Sequence, residues 1–177
     1  DEIRFAKTIE EDLARRDFTV NAIALSINDQ KKVPMPKASR ILDKIGKIID
    51  IFDGRKDLES KIIRTVGNPE ERFSEDALRM LRAVRFAVTL GFKIEENTAK
   101  AIKKNSIWLK AISQERIRDE FLKIIMNDRA ADGIEQLREL KLLKYVVPEL
   151  EEGYGVSQNK HHIYDCYWHS VKALEYA

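Results

Sequence analysis

The alternation of apolar and polar residues divides the chain into two parts near Gly67. Up to that point, short apolar runs bounded by turn residues predict strands at residues 23–27 and 48–52, paired as an edge hairpin of a small sheet. Beyond Asn68, apolar residues recur with the helical period. The main helices are predicted at residues 75–89, 96–104, 114–126, 130–140 and 163–176. The pattern therefore predicts an α+β fold, mainly helical.

Residues that commonly begin and end helices support these boundaries. Asn68 is expected to cap a short helical turn that has Pro69 in its first position. Ser74 is expected to cap the longer helix at 75–89. Gly91 is expected to end that helix, because glycine adopts a left-handed backbone without steric cost.

The helix at 75–89 has two chemically different faces. Its apolar arc, which is expected to face the core, consists of Met80, Leu81, Ala83, Val84, Ala87 and Val88. Three arginines share the other face: Arg79, Arg82 and Arg85. Glu75 can pair with Arg79 at the i,i+4 spacing, which leaves an excess of positive charge. This face is either a solvated helix surface with one ion pair or a binding site for an anion such as a polyphosphate.

Asp76 and Arg79 together suggest recognition of a nucleobase. The Watson–Crick edges of adenine and cytosine both offer an amino donor beside a ring-nitrogen acceptor, which a carboxylate and a guanidinium complement. Guanine and uracil present the reverse order, so such a pair would reject them. Leaving a buried polar group unpaired costs about 1–3 kcal/mol.

Composition limits the classes of protein to consider. The 177 residues include 32 Lys and Arg and 30 Asp and Glu, so the net charge of +2 does not by itself indicate a nucleic-acid partner. The single cysteine, Cys166, excludes an internal disulfide framework and fits a reducing compartment. No apolar run approaches the roughly 20 residues of a membrane span. With no signal peptide visible, the expected location is the cytoplasm, although the chain begins at Asp1 rather than Met.

Five segments, in order, resemble the motifs of one family. They read RRDFTVNA at 15–22, DGRKDL at 53–58, IRTVGNP at 63–69, EDALR at 75–79 and ERIRDE at 115–120. This order resembles the class II tRNA nucleotidyltransferases, which are the eubacterial and eukaryotic CCA-adding enzymes and the bacterial poly(A) polymerases. The resemblance covers roughly residues 9–150, and Asp53 stands where the family has a glycine.

The resemblance implies a role for each candidate residue. Asp76 and Arg79 would select the incoming base, and Arg82 and Arg85 would hold phosphates or neighbouring groups. Arg16 and Asp17 would contact the ribose and the nucleotide, or would be only an ion pair near a helix end. Thr19 and Asn21 either contact the ligand or cap a turn.

The resemblance also implies an activity and a domain organisation. The enzyme would add C, A or both from CTP and ATP to the acceptor end of tRNA, with Mg²⁺ as cofactor. Residues 1–67 would end a nucleotidyltransferase head domain, 68–150 would form the helical neck and body, and 151–177 would begin a further helical domain. The alternatives are poly(A) tailing, a non-catalytic RNA-binding helical module, and part of a phosphohydrolase of the HD type.

Two departures from the family matter. The segment 26–47 is longer than the family's usual connection and carries bases that either touch RNA or form a solvated loop: Lys31, Lys32, Lys37, Arg40, Lys44 and Lys47. The family's metal-binding carboxylates precede the RRD motif, and nothing upstream of Ile9 supplies them. Asp50, Asp53 and Asp57 are interpreted as turn and helix-start residues. The 177-residue chain by itself is therefore expected to bind nucleotide weakly and to be inactive.

Aromatic and histidine residues add two further hypotheses. Residues 161–170, HHIYDCYWHS, resemble the start of an HD-type domain, in which His169 would be the first metal ligand; the alternative is a packed helix end. With only 3 His, that metal site is incomplete. Four aromatic residues are predicted to lie in the core rather than to stack on RNA: Trp108, Phe121, Tyr145 and Trp168.

Overall fold

A computed structural model describes residues 6–27, 46–158 and 163–176, and confirms the predicted α+β, mainly helical class. The helices are α1 (Ile9–Ala14), α2 (Gly54–Ser60), α3 (Pro69–Glu75), α4 (Leu78–Leu90), α5 (Glu96–Asn105), α6 (Gln114–Ile125), α7 (Ala130–Glu139), α8 (Leu143–Val146), α9 (Pro148–Glu152) and α10 (Cys166–Glu175). The 3-10 segments in the described residues are Thr19–Asn21 and Ser106–Ala111. The strands are β1 (Ala24–Ile27), β2 (Gly46–Ile49), β3 (Ile62–Ile63) and β4 (Lys93–Ile94).

The predicted hairpin is present at the N-terminal end of the fold. β1 and β2 are antiparallel, with Ala24 opposite Ile49 and Ile27 opposite Gly46. β2 ends at Ile49 rather than at residue 52, because the next residue, Asp50, accepts hydrogen bonds from the backbone nitrogens of Gly54 and Arg55 and so turns the chain into α2.

Most of the basic segment predicted at 26–47 lies outside the described residues. The bases that fall there are Lys31, Lys32, Lys37, Arg40 and Lys44. Lys47 belongs to β2, opposite Ser26, so the end of the predicted loop is a strand.

Helix α2 is fixed against the 3-10 segment at Thr19. Asp53 precedes it with a left-handed backbone, at φ 57°, which is the conformation that a glycine would adopt most easily. A Cβ on Gly54 would lie 2.2 Å from the carbonyl oxygen of Thr19. Buried Asp57 accepts hydrogen bonds from the Thr19 hydroxyl and from Arg64 Nε, the latter at 2.9 Å. Asp50, Asp53 and Asp57 are therefore turn and helix-start residues, as interpreted from the sequence.

The short parallel pair of β3 and β4 was not predicted. Ile62 pairs with Lys93 and Ile63 with Ile94. Two-residue strands carry too little alternation to be visible in a sequence. The pair ties the end of α4 to the segment after α2, and the fully buried Ile63 joins the main core.

The predicted helix at 75–89 is divided at Asp76, and the prediction that Ser74 caps it is wrong. Ser74 lies inside α3, where its hydroxyl donates to the carbonyl of Glu71. Asp76 is extended, and its Oδ1 accepts from the backbone nitrogen of Leu78 at 3.1 Å. The aspartate ends one helix and supplies the first acceptor of the next, because a short carboxylate competes with the helical backbone for its own donors.

The remaining caps agree well with the sequence. The Asn68 side chain accepts from the backbone nitrogen of Glu70, Pro69 begins α3, and Gly91 ends α4 in the left-handed conformation. The last helix begins at Cys166 rather than residue 163, because Asp165 caps it by accepting from the Trp168 nitrogen at 2.7 Å.

The apolar arc of α4 is buried as predicted, and the other helices pack around it. α10 adds Tyr167 and Val171 to this same core, so the described residues after 150 share the core of the preceding helices. Phe121, Tyr145 and Trp168 are partly buried against it. Trp108 is an exception to the prediction, since it is 36% exposed.

Tyr167 is the largest fully buried side chain among the described residues. Its hydroxyl donates to Glu135, and the Arg138 guanidinium lies 4.3 Å from the ring centre of Tyr154 and 5.6 Å from that of Tyr167. Burial, followed by the hydrogen bond to Glu135, raises the pKa of Tyr167. The neutral hydroxyl is therefore the form that the folded chain favours.

Gly54→Ala is expected to destabilise the fold by about 1–3 kcal/mol, because the new methyl group would overlap the rigid backbone at Thr19. The free energy of unfolding in urea would measure the loss. Lys56→Ala, at an exposed position of the same helix, is the control and should change it by less than about 0.5 kcal/mol. Equal effects of the two substitutions would contradict the close approach of α2.

Tyr167→Phe is expected to weaken the dependence of stability on alkaline pH. An unfolded tyrosine ionises near pH ~10, whereas the folded chain retains the Tyr167 proton above that pH. The stabilisation from this hydroxyl is thus present below pH ~10 and is lost as the pH rises further. Urea midpoints measured on both sides of that pH should fall less in Tyr167→Phe than in the exposed control Tyr176→Phe, and parallel slopes would contradict the assignment.

Candidate functional site

An open cavity of about 500 Å³ lies between the N-terminal part of the fold and the helices. It is lined by Arg15, Arg16, Asp17, Asn21, Asp76, Leu78, Arg79, Arg82 and Arg116. Five of the six residues predicted to bind a nucleotide therefore meet in one place. Arg85 is the predicted residue that does not line this cavity.

Asp17 and Arg82 form the most buried ion pair at the cavity. Arg82 Nε lies 2.8 Å from Asp17 Oδ2, and its Nη2 contacts the same oxygen. Asp17 Oδ1 accepts from the Phe18 nitrogen at 2.9 Å and from Asn21 Nδ2 at 3.2 Å. With 8% of Asp17 exposed, these contacts fix the carboxylate in one orientation.

The segment that carries Asp17 is itself held by backbone pairing. Phe18 and Thr65 form an antiparallel bridge. The Thr19 nitrogen donates to the carbonyl of Arg64 at 2.9 Å, and the Val66 nitrogen donates to that of Asp17 at 3.1 Å. These hydrogen bonds present one edge of the segment to α4.

Asp76 is partnered by a residue from a distant helix. Its Oδ2 lies 2.7 Å from Nη2 of Arg116, which stands near the start of α6. Its Oδ1 accepts from the Leu78 nitrogen, so both oxygens are oriented. Arg79 lines the same cavity, but its side-chain contacts are with other residues.

Arg79 forms the predicted ion pair with Glu75. Its Nη1 also donates to the carbonyl of Arg72 at 3.0 Å, and its Nη2 to the carbonyl of Arg15 at 3.5 Å. This guanidinium therefore joins the end of α1 to the break between α3 and α4. Asp76 and Arg79 therefore do not pair with each other: Arg116 holds Asp76, and Glu75 holds Arg79.

Arg16 contributes an exposed side chain to the cavity wall. Its Nη2 lies 2.7 Å from Asp12, one helical turn earlier. Hydrogen bonding and positive charge from Arg16, followed by Arg15, lower the pKa of the Asp12 carboxyl. The alternative interpretation, an ion pair between Arg16 and Asp17, is wrong, because Arg16 pairs with Asp12 and Asp17 pairs with Arg82.

The predicted surplus of positive charge on α4 is wrong for Arg82 and Arg85, because acids elsewhere in the chain neutralise them. Arg85 Nε lies 2.8 Å from Oε2 of Glu120 on α6, and its guanidinium lies 4.2 Å from the ring centre of Phe86. Glu120 is buried and also pairs with Lys123. A sequence pattern indicates partners only within about one helical turn, whereas Asp17 and Glu120 lie much farther along the chain from Arg82 and Arg85.

The cavity is nevertheless lined by more arginines than acids. Its lining among the described residues holds five arginines against two aspartates. Such a surface suits an anion that also has a polar planar edge. Arg15 and Arg116 were not predicted to be site residues, although they lie within the RRDFTVNA and ERIRDE motifs.

No group of three acidic, histidine or cysteine side chains within residues 6–27, 46–158 and 163–176 is arranged to hold a metal ion. Asp50 and Asp57 are occupied by backbone, hydroxyl and guanidinium donors. His169 lies on the exposed face of α10. These described residues do not fit a Mg²⁺ site.

Among the described helices, none combines the length and the apolar character that crossing a membrane requires. The cytoplasmic location expected from the sequence stays a prediction.

Two family models match this chain. Residues 1–64 match the "Poly A polymerase head domain", and residues 91–153 match the "Probable RNA and SrmB- binding site of polymerase A". The cavity lies where parts from both ranges meet the unmatched segment 65–90 that carries α3 and α4. The predicted boundaries at 67 and 150 stay predictions.

Known relatives and solved structures are similar over most of the chain. The CCA-adding enzyme of Ligilactobacillus salivarius (strain UCC118) is 48% identical over 145 residues, which are 82% of this chain and 32% of that protein. The CCA-adding enzyme of Enterococcus faecalis (strain ATCC 700802 / V583) is 44% identical over 156 residues, 88% of this chain and 34% of that protein.

Among solved structures, the Bacillus stearothermophilus CCA-adding enzyme in complex with CTP has a TM-score of 0.71 and 40% identity, covering 85% of this chain and 34% of that one. A tRNA nucleotidyltransferase complexed with a primer tRNA and an incoming ATP analog has a TM-score of 0.66 and 33% identity, covering 87% and 40%. This chain spans about a third of the length of the relatives that it matches.

Breaking the Asp17–Arg82 pair is expected to destabilise the chain. Asp17→Ala and Arg82→Ala should each lower the free energy of unfolding by about 1–3 kcal/mol, because each leaves a buried or partly buried charge without its partner. The double variant should lose less than the sum, with a coupling energy of about 0.5–3 kcal/mol.

The exposed pair of Arg118 and Asp119 provides the control cycle. Its coupling energy should be no more than about 1 kcal/mol, because solvent screens the two charges. A coupling energy for Asp17 and Arg82 as small as that of the control would show that their ion pair does not hold the site together.

Proposed function

Because this chain belongs to the family of CCA-adding tRNA nucleotidyltransferases and bacterial poly(A) polymerases, we propose that it carries the nucleotide-selecting site of an enzyme that extends the 3′ end of tRNA. The proposed substrates are CTP, ATP and the acceptor end of tRNA. The observation that carries the proposal is the presence of Asp76 and Arg79 on one arginine-lined cavity. Relatives named as CCA-adding enzymes, and solved neighbours that bind CTP, an ATP analog and tRNA, support it.

Asp76 and Arg79 select the base in this proposal. The carboxylate accepts from the amino group of cytosine or adenine, and the guanidinium donates to the adjacent ring nitrogen. The existing partners do not use up these groups, since a carboxylate oxygen accepts more than one hydrogen bond and a guanidinium has five N–H donors. Arg116 and Glu75 instead hold the two groups in place before the nucleotide arrives.

Arg16, Asp17 and Arg82 bind the rest of the nucleotide. A ribose hydroxyl would reach the oriented carboxylate of Asp17 by displacing one of its present donors, such as Asn21. The remaining N–H groups of Arg16 and Arg82 would donate to phosphates. The geometry supports a different role for Arg85, which neutralises buried Glu120 and so joins α4 to α6.

Mg²⁺ is part of the proposed activity only because nucleotidyl transfer uses metal ions. The described residues of this chain contribute binding, orientation and selection. Transfer needs a further part of the enzyme, which the longer relatives have room to contain.

Poly(A) tailing is the second candidate, since the family model for residues 1–64 is that of a poly(A) polymerase head. Asp76 and Arg79 would recognise adenine in the same way in either enzyme. Product analysis separates the candidates: a limited addition of C and A indicates CCA synthesis, A alone on a tRNA that already ends in C indicates A-addition, and long A tracts indicate tailing. A non-catalytic RNA-binding module would extend no primer with any nucleotide.

Asp76→Ala in the full-length enzyme is expected to damage selection as well as rate. Loss of the amino-group acceptor should reduce the preference for CTP and ATP over UTP and GTP by roughly ten- to a hundredfold, which corresponds to about 1–3 kcal/mol per lost pairing. The measurement is kcat/KM for each of the four nucleotides on one tRNA primer.

Arg82→Ala is the matched comparison on the same cavity. It should lower kcat/KM for all four nucleotides by a similar factor, because phosphate contacts carry no information about the base. If Asp76→Ala lowered incorporation of all four by one common factor, Asp76 would be only a helix-break residue and not a selector of bases.

A further inference from the structure

A second cavity, of about 550 Å³, adjoins the first. It is lined by Phe73, Ser74, Glu75, Asp76, Ala77, Trp108, Ala111, Ile112 and Arg116, and we call it the Trp108 groove. Asp76 and Arg116 line both cavities, so their ion pair forms part of the wall between them. Anything bound in the groove would lie directly beside a nucleotide in the first cavity.

Trp108 is held at the surface by the segment that carries it. The next residue, Leu109, is fully buried in the main core, and it anchors the 3-10 segment Ser106–Ala111. Trp108 remains 36% exposed beside Ala111 and Ile112. An exposed indole beside an apolar wall offers a stacking surface. The sequence predicts that Trp108 lies in the core, so this surface is visible only in the structure.

The charges around the groove compensate one another and leave a guanidinium exposed at its edge. Arg116 has half of its side chain exposed (50%) at the edge of the groove. The acids there are already compensated, because Glu75 pairs with Arg72 at 2.9 Å and with Arg79, and Asp76 pairs with Arg116. An RNA strand would therefore meet an aromatic face with a guanidinium beside it.

We propose that the Trp108 groove binds a nucleobase of the RNA strand close to its 3′ end, with the base stacked on Trp108 and a strand phosphate near Arg116. The proposal rests on the proposed function, since it places the growing RNA next to the incoming nucleotide. Two observations select RNA over other occupants. The groove is continuous with the nucleotide cavity, and Trp108 to Arg116 lie within the range that matches a model described as an RNA-binding site.

Stacking on an aromatic side chain does not depend on which base is present, because every base has a flat π-face. The groove would therefore hold C and A alike as the 3′ end changes during synthesis. Recognition of the incoming base would stay with Asp76 and Arg79. The two neighbouring cavities would thus separate a sequence-tolerant contact from a base-selective one.

The test compares Trp108→Ala with Trp108→Phe in the full-length enzyme. Trp108→Ala should raise the KM for the tRNA primer, and the Kd for that primer without nucleotide, by about tenfold. The KM for CTP should change by less than about twofold. Trp108→Phe should restore most of the affinity, because its ring still stacks. Ile107→Ala removes a neighbouring exposed apolar side chain (49%) outside the groove and should leave both constants unchanged.

The primer Kd is measured without nucleotide, so it tests the groove independently of base selection by Asp76. Unchanged primer binding in Trp108→Ala would overturn the proposal, as would a loss that Ile107→Ala reproduces. A joint rise in both KM values with a lower thermal midpoint would also overturn it, because Trp108 would then be a packing residue. Loss of primer affinity in Trp108→Ala, together with a failed Asp76 test, would leave the groove as an RNA site and reject only the proposed selection.

Discussion

The ion pair between Asp17 and Arg82 joins positions that are 65 residues apart in the chain. A buried carboxylate is stable only when each oxygen has donors, and here the guanidinium, the Phe18 nitrogen and Asn21 supply them. The pair therefore sets the position of the segment after α1 against the arginine-bearing face of α4. Without that position, Arg16 and Arg82 would not border the same cavity.

The break at Asp76 gives the cavity its second essential property. In one continuous helix, Asp76 and Arg79 would lie a turn apart and would be free to neutralise each other. The extended backbone at Asp76 instead directs its carboxylate to Arg116, while Glu75 and two carbonyl oxygens hold Arg79. Asp76 and Arg79 thus do not neutralise each other, and both are oriented at one surface. Recognition of a donor and an acceptor on one ring requires such an arrangement.

Three arginines on one face of α4 have three different environments. Arg79 links the break to the end of α1, Arg82 anchors the N-terminal segment, and Arg85 compensates buried Glu120. Arg116, from α6, reaches the same region and separates the arginine-lined cavity from the Trp108 groove. A single helix thereby connects the packing of the helical body to the two surfaces on which the proposed function depends.

Local pattern determined much of this protein. Periodicity located the helices around α4 to within a residue or two, and short-range chemistry identified Asn68 and Gly91 as helix ends and Glu75 as a partner of Arg79, because these interactions occur within about one turn of chain. The five motifs identified the family, and together with the arginine face of α4 they identified five of the residues that line the cavity. Tertiary structure alone decided which acid meets which arginine, where the helix breaks, and that Trp108 stays exposed. Pairings such as Asp17 with Arg82, Asp76 with Arg116 and Glu120 with Arg85 join distant segments, and their geometry exists only after the helices have packed.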